Sequence, residues 1–337
     1  MGGLEKFKKK NIVKILLDNF VDLMPSFYEM ESSFLSGIYE RYGNLEEGNI
    51  VIFFAKDLHL EVLRKRETDL NFNLSLDEFW NNHKNVVQKR KKIITIAKSV
   101  GLPRETTRRK ILSLIKARHI KKTEKNIIFW EPDSKSKDSY IKIIEEQIHS
   151  LSKFVFKQLQ CFSLNIPTSK IEKEIKNNYS FYWYHYLNAQ LKYIKLWQIQ
   201  FKDLEMLLIG MQTLIQSIRY FKNSNRLQNL DSYLLYKTKK STVSPDTKNT
   251  GISATSVSEV TGIPRANCIR KLEKYIKMEI IEKDPVTKRY NLIPAQIKSN
   301  SSYNPSMLGV TNHTIDIFSE FSSITLKSLN RSGKILY

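Results

Sequence analysis

The feature that most constrains this chain is a segment it carries twice. The stretch 100 VGLPRETTRRKILSLIKARHIKKTEKNIIFW 130 aligns with 261 TGIPRANCIRKLEKYIKMEIIEKDPVTKRYNL 292 at a constant offset of 161 for about twenty residues. Gly101 matches Gly262, Pro103 matches Pro264 and Arg104 matches Arg265. Arg109-Lys110 matches Arg270-Lys271, Ile115-Lys116 matches Ile276-Lys277, and Ile120 matches Ile281. Whatever one copy folds into, the other must fold into as well.

The residues of one copy prescribe its elements. Ile94 and Ile96 belong to a short helix that Gly101 stops, because glycine accepts positive φ and closes a tight turn. Leu102 turns inward under that turn, and Pro103 suits the first position of a new helix, where no N–H is needed. Thr107, Ile111, Leu114 and Ile115 then share one helical face, and Arg104, Glu105, Thr106, Arg108 and Arg109 share the other. In the second copy Cys268, Leu272, Tyr275 and Ile276 turn inward, while Arg265, Ala266, Asn267, Ile269 and Arg270 turn outward. Cys268 therefore reads as a small core residue. After each helix the period changes to a strand-like one. Residues 120–123 and 127–130 flank a polar turn, as do 279–283 and 289–293. Helix, turn, helix and hairpin make a winged helix-turn-helix.

Both copies resemble the DNA-binding module of IclR-type and GntR-type bacterial transcription regulators. That pattern has a short helix, Gly-[Leu/Ile]-Pro-Arg, a recognition helix with a central arginine, and a two-stranded wing ending in Tyr-x-Leu. It falls on Gly262-Ile-Pro-Arg265, Arg270 and Tyr290-Asn-Leu292, and on Gly101-Leu-Pro-Arg104 and Arg109. The resemblance covers about 40 residues per copy. One departure is that Arg118 and Glu279 stand where the family has glycine after the recognition helix. A left-handed non-glycine residue costs on the order of 1 kcal/mol, so a different cap is expected there. No sensor domain of either family is recognisable.

Charge agrees with that implication. The 337 residues hold 55 Lys or Arg against 34 Asp or Glu, a net of +21, which suits nucleic acid or an anionic surface. The excess is unevenly shared. Residues 84–125 hold fifteen cations against Glu105 and Glu124, a net of +13, whereas residues 251–294 hold eight against five acids, a net of +3. The first copy is expected to supply most non-specific affinity. Cys161 and Cys268 suggest neither a disulfide framework nor a metal site. No run approaches the ~18 apolar residues of a membrane span, and MGGLEKFKKK lacks the apolar stretch of a signal peptide. No phosphate loop, dinucleotide fingerprint, nucleophile elbow or acid–base pair is present. The expectation is a cytoplasmic, nucleoid-associated protein that is not an enzyme and needs no cofactor.

The fold class expected is mainly α with small β wings: tandem winged helix-turn-helix domains joined by helical regions. The divisions are an N-terminal helical region (1–74), the first module (75–132, opening at a Ser75 cap), a central helical region (133–222), a polar loop (223–250), the second module (251–294) and a tail (295–337) with an amphipathic piece near 314–328. Ser26-Phe27-Tyr28 recurs as Ser180-Phe181-Tyr182, each about 75 to 82 residues before its Gly-[Leu/Ile]-Pro. This raises an internal duplication, a dimeric regulator fused into one polypeptide. The aromatic run 179 YSFYWYHYL 187 reads as helical core rather than a ligand pocket.

By analogy with recognition helices in the major groove, the residues expected to meet DNA are Arg104, Thr106, Arg108 and Arg109 in the first copy and Arg265, Asn267, Ile269 and Arg270 in the second. Arginine suits guanine, asparagine suits adenine, and isoleucine suits the thymine methyl. Lys125, Lys288 and Arg289 sit near the wing tips, within reach of phosphate or the minor groove. The expected partner is double-stranded DNA, with a homodimer through the helical regions open and any small-molecule effector unassigned. The expected function is a sequence-specific transcription regulator, commonly a repressor, reading a bipartite or imperfectly palindromic site. Two rivals stand beside it: a plasmid-type replication initiator with two winged helices, and a winged-helix scaffold that binds proteins.

Overall fold

The computed structural model describes residues 4–124, 127–131, 137–223, 229, 251–293 and 304–331. The protein is mainly helical with two small antiparallel sheets. In chain order the helices of the first half are α1 (Lys9–Asp18), α2 (Phe20–Tyr42), α3 (Leu45–Thr68), α4 (Leu76–Asn82), α5 (Ile93–Val100) and α6 (Arg104–Lys116), followed by the hairpin β1 (Lys121–Lys122) and β2 (Ile128–Phe129). Then come α7 (Lys137–Cys161), α8 (Thr168–Asn177), α9 (Tyr179–Phe201), α10 (Leu204–Asn223), α11 (Ala254–Thr261), α12 (Arg265–Lys277), the hairpin β3 (Ile281–Lys283) and β4 (Tyr290–Leu292), and α13 (Asn304–Arg331).

Local chemistry accounts for the boundaries. Asn44 caps α3 by accepting from the N–H groups of Glu46 and Glu47, both at 3.0 Å, and those two acids sit where the helix dipole favours them. Ser75 caps α4 by accepting from the Glu78 N–H. Gly43 at φ 63° ends α2 in the left-handed conformation. The N-terminal and central regions expected to be helical are so where described, and Pro167 falls between α7 and α8. The amphipathic piece near 314–328 lies inside α13. The expected polar loop lies largely outside the described residues.

The helices repeat as a set. Helices α1 and α8 are each ten residues long, and α2 and α9 are each 23, both pairs at an offset of 159. Helices α3 and α10 start at that same offset, at Leu45-Glu46 and Leu204-Glu205. Helices α5 and α11 have eight residues each, and α6 and α12 thirteen each, at an offset of 161. Even the junctions correspond. Asn19 and Asn178 precede α2 and α9 with φ/ψ of −112°/33° and −118°/37°, and Gly43 and Lys202 follow them in the left-handed region. Ser26-Phe27-Tyr28 and Ser180-Phe181-Tyr182 lie 154 apart and so are not equivalent; the equivalents of 26–28 are His185, Tyr186 and Leu187. Three identical residues in aromatic-rich helices had pointed to the right helices in the wrong register.

Packing follows the same scheme. Helix α3 lies on α9, and α2 on α10; α1 packs on α13, and α8 on α7; α2 packs on α7, and α9 on α13. The core between α2 and α9 is aromatic and reciprocal. Phe34 meets Tyr186 at 5.4 Å between ring centroids, and Phe27 meets Tyr193 at 6.2 Å, both edge-to-face. Tyr186 is the equivalent of Phe27 and Tyr193 of Phe34. Between them the equivalent residues Glu31 and Gln190 touch each other: Gln190 Nε2 donates to Glu31 Oε1 at 2.6 Å, with both residues fully buried. Burial lifts the Glu31 carboxyl to about 8, against the pull of the Gln190 hydrogen bond. Tyr179, Tyr182, Trp183 and Tyr186 are buried, so one face of the aromatic run of α9 is core, while Phe181, Tyr184 and His185 are half-buried.

Candidate nucleic-acid interface

Each helix–helix–hairpin unit is built the same way. Gly101 (φ 76°) and Gly262 (φ 72°) end α5 and α11 in the left-handed region. Leu102 and Ile263 follow and are buried beneath the turn. The prolines stand one position further out than expected: Pro103 and Pro264 are the N-cap residues, with ψ of 146° and 135°, and Arg104 and Arg265 begin the helices. The carbonyls of Pro103 and Pro264 accept the first helical N–H bonds, from Thr107 and Cys268. Thr107, Ile111 and Leu114, and Cys268, Leu272 and Tyr275, form the inner faces. Each leucine-sized side chain buried there contributes about 1.5–3 kcal/mol. Cys268 is buried with its thiol raised by desolvation, as befits a core residue.

The end of the second helix corrects an expectation. Arg118 (φ 61°) and Glu279 (φ 55°) adopt the left-handed conformation without glycine. The paired bonds of a Schellman cap are present in both units. The N–H groups of Arg118 and His119 reach the carbonyls of Ile115 and Leu114, and those of Glu279 and Ile280 reach Ile276 and Tyr275. Two backbone hydrogen bonds offset the steric cost at each site. The hairpins then follow in register Lys121↔Phe129 and Ile281↔Leu292. A third segment closes each hairpin differently. In the second unit the backbone of Ile252 pairs with Tyr290. In the first, the Gln88 side-chain amide spans Trp130, donating to its carbonyl at 2.6 Å and accepting from its N–H at 3.2 Å.

The shared Arg-Lys dipeptide divides into an outward and an inward residue. Lys110 turns back onto the body, where its Nζ lies 2.9 Å from Glu46 Oε2 and 3.2 Å from the capping Asn44 Oδ1. Lys271 does the same at the start of α10, 2.6 Å from Asp203 and 3.1 Å from Glu205. Asn44 and Asp203 are equivalent, as are Glu46 and Glu205. Arg109 and Arg270 are exposed. The glycine turns dock equivalently too. Gly101 faces Lys195 and Gln198 of α9, and Gly262 faces Tyr39 of α2, the equivalent of Gln198.

The expected contact residues divide by environment. Arg104, Arg109, Arg265 and Arg270 are exposed on the outer faces, with Thr106 and Asn267 half-buried beside them. Among the described residues Arg104 and Arg109 make no ion pair or hydrogen bond. Arg265 donates to Thr255 Oγ1 at 3.1 Å, bracing it toward α11. Arg108 is held by Glu105 through its Nε and Nη2 (2.7–3.1 Å), and that hydrogen bond holds the Glu105 carboxyl below its usual range. Ile269, expected to face outward, is half-buried and packs against the core, because its position lies at the edge of the inner face. In the second hairpin Lys288 (φ 58°) and Arg289 are exposed but bonded to backbone, to the Pro285 carbonyl at 2.7 Å and the Gly251 carbonyl at 2.9 Å. Lys125 lies outside the described residues.

Charge is redistributed by these contacts. Lys91 pairs with Asp57 at 2.7 Å, Lys89 with Glu61 at 3.6 Å, and Lys121 with Glu131. Several cations counted for the first unit therefore serve its attachment. Sequence inspection missed the docking residues Asn44/Glu46 and Asp203/Glu205. The signal that could have found them is the pair Leu45-Glu46 and Leu204-Glu205, at almost the offset of the motif itself.

No protein-family model, no curated protein and no solved structure matches this chain. Among the described residues no helix is long and apolar enough to cross a membrane, and no group of three His, Cys, Asp or Glu could hold a metal ion.

Proposed function

We propose that the chain binds duplex DNA through two winged helix-turn-helix modules, one comprising α5, α6 and β1–β2 and the other α11, α12 and β3–β4, as a sequence-specific transcription regulator. Helices α6 and α12 are the recognition helices. One observation carries the reading: in both units the second helix turns a lysine back into the body while arginines at equivalent positions, 104 and 265, 109 and 270, stay outside. A helix held from behind by its own cation and presenting arginines in front suits the edges of guanines in a major groove. The cations of residues 84–125 that are not paired with Glu46, Asp57, Glu61 or Glu131 supply phosphate attraction.

The test is a binding selection from random duplexes at about 150 mM salt. It compares the full chain with Arg104→Ala/Arg109→Ala and Arg265→Ala/Arg270→Ala. The expected outcome is an enriched motif in two parts, one part lost in each double variant. An unenriched pool, with affinity that collapses as salt rises, would replace this reading with charge-driven coating or a protein-binding role.

A further inference from the structure

We infer that one chain is itself the two-fold unit, so that a single molecule reads one imperfect inverted repeat, with its half-sites at a fixed spacing. The inference rests on the DNA-binding reading above and adds the orientation, spacing and stoichiometry of the site.

The evidence is the reciprocity of the core. Let Phe27 and Tyr186 be one equivalent pair, and Phe34 and Tyr193 another. Phe34 touches Tyr186, and Tyr193 touches Phe27. When residue i of one half meets j of the other and j meets i, the halves are related by a two-fold axis, as in an isologous dimer. A translation or screw would bring i to j once and leave the return contact unmade. Glu31 and Gln190 are equivalent to each other and in contact, which places them at the axis. The helix pairs say the same: α3 on α9 returns as α10 on α2, and, with α7 and α13 the equivalent helices that follow the two hairpins, α1 on α13 returns as α8 on α7.

The units inherit this symmetry because each is attached to the frame at equivalent points. Lys110 grips the start of α3, and Lys271 the start of α10. Gly101 rests on α9 and Gly262 on α2. The outward faces of α6 and α12 are therefore related by the same axis, and a duplex read by both must present its half-sites inverted. The faces also prescribe the content of the halves. Arginines at 104 and 265 and at 109 and 270 call for shared base pairs. Glu105 against Ala266 and Thr106 against Asn267 call for divergent ones, and Arg108 has no outward counterpart because Ile269 packs against the core.

The test uses the full chain and the duplex it selects. The expected motif is two inverted half-sites that share a guanine, bound by one chain per duplex in sedimentation. Inserting about 5 base pairs, half a helical turn, between the halves is expected to lower affinity at least tenfold. Arg109→Ala should relax the shared guanine in one half and Arg270→Ala in the other. A directly repeated motif, a single half-site, two chains per site, or indifference to the insertion would overturn the inference while leaving DNA binding intact. A pool with no motif would remove the proposed function instead.

Discussion

The two halves build the same joint from different parts. Where the first half has Val51 and Leu114, the second has Gly210 and Tyr275. The Tyr275 hydroxyl donates to the Met206 carbonyl at 2.6 Å, and a Cβ on Gly210 would stand 2.8 Å from Tyr275 Cζ. At the lysine grip the first half offers a neutral Asn44 and one carboxylate, and the second offers two carboxylates around a more deeply buried Lys271. On the outer face the first half carries Glu105 where the second carries Ala266, and the exposed Arg108 stands where the second half has Ile269 packed against the core. Equivalent geometry thus survives an exchange of side chains across the joint when volume is exchanged with it, as Val51 with Leu114 and Gly210 with Tyr275 do.

The largest expected effect breaks one joint and repairs it from the other. Gly210→Val should lower stability by about 3 kcal/mol, because the added methyls overlap the buried ring. Gly210→Val with Tyr275→Leu, the pair that the first half uses, should recover most of the loss in chemical denaturation. If the double variant is no better than the single, the two joints are not interchangeable.

Next in size is the axis. Glu31 has a folded pKa of about 8 against an ordinary 4.5. The unfolded chain loses this proton first, so stability falls as pH rises from about 4.5 to 8. Glu31→Gln makes the two axial residues identical and removes that loss. The variant should match the parent near pH 4.5 and exceed it by on the order of 2–3 kcal/mol near pH 7. Denaturation curves at the two pH values decide it; a constant difference would contradict the buried acid.

The lysine grips come third and differ in degree. Lys271→Ala leaves two carboxylates facing each other in a half-buried site and should cost about 2 kcal/mol, whereas Lys110→Ala should cost about 1 kcal/mol. Equal losses would mean that the second carboxylate contributes nothing. The smallest effect concerns the outer face. Glu105→Ala gives the first helix the residue of the second, frees Arg108, and should tighten non-specific duplex binding by about threefold at low salt, fading as salt rises. Titration of a random duplex at two salt concentrations measures it.

Much of each unit was legible in sequence because its determinants are local. Gly101 and Gly262 admit a left-handed backbone, the prolines forbid helix continuation, and the apolar spacing of 111–114 and 272–275 selects the inner face. The larger repeat was legible only as a suspicion. Helices α2 and α9 keep their pattern of burial but scarcely a residue, so identity pointed to Ser-Phe-Tyr, five residues out of register. Ile269 was misplaced because a helical wheel gives no depth at its edges.

The sequence by itself determined two like units, each a helix, turn, helix and hairpin with a basic outer face, since backbone conformation and amphipathic period depend on neighbours along the chain. Only the tertiary structure decided which cations face out and which hold the units on. Lys110 and Lys271 look identical to Arg109 and Arg270 in charge and spacing. Their roles separate only when α3 and α10 bring Asn44, Glu46, Asp203 and Glu205 within about 3 Å. Charge acts through space, and its partners lie 64 to 68 residues away along the chain.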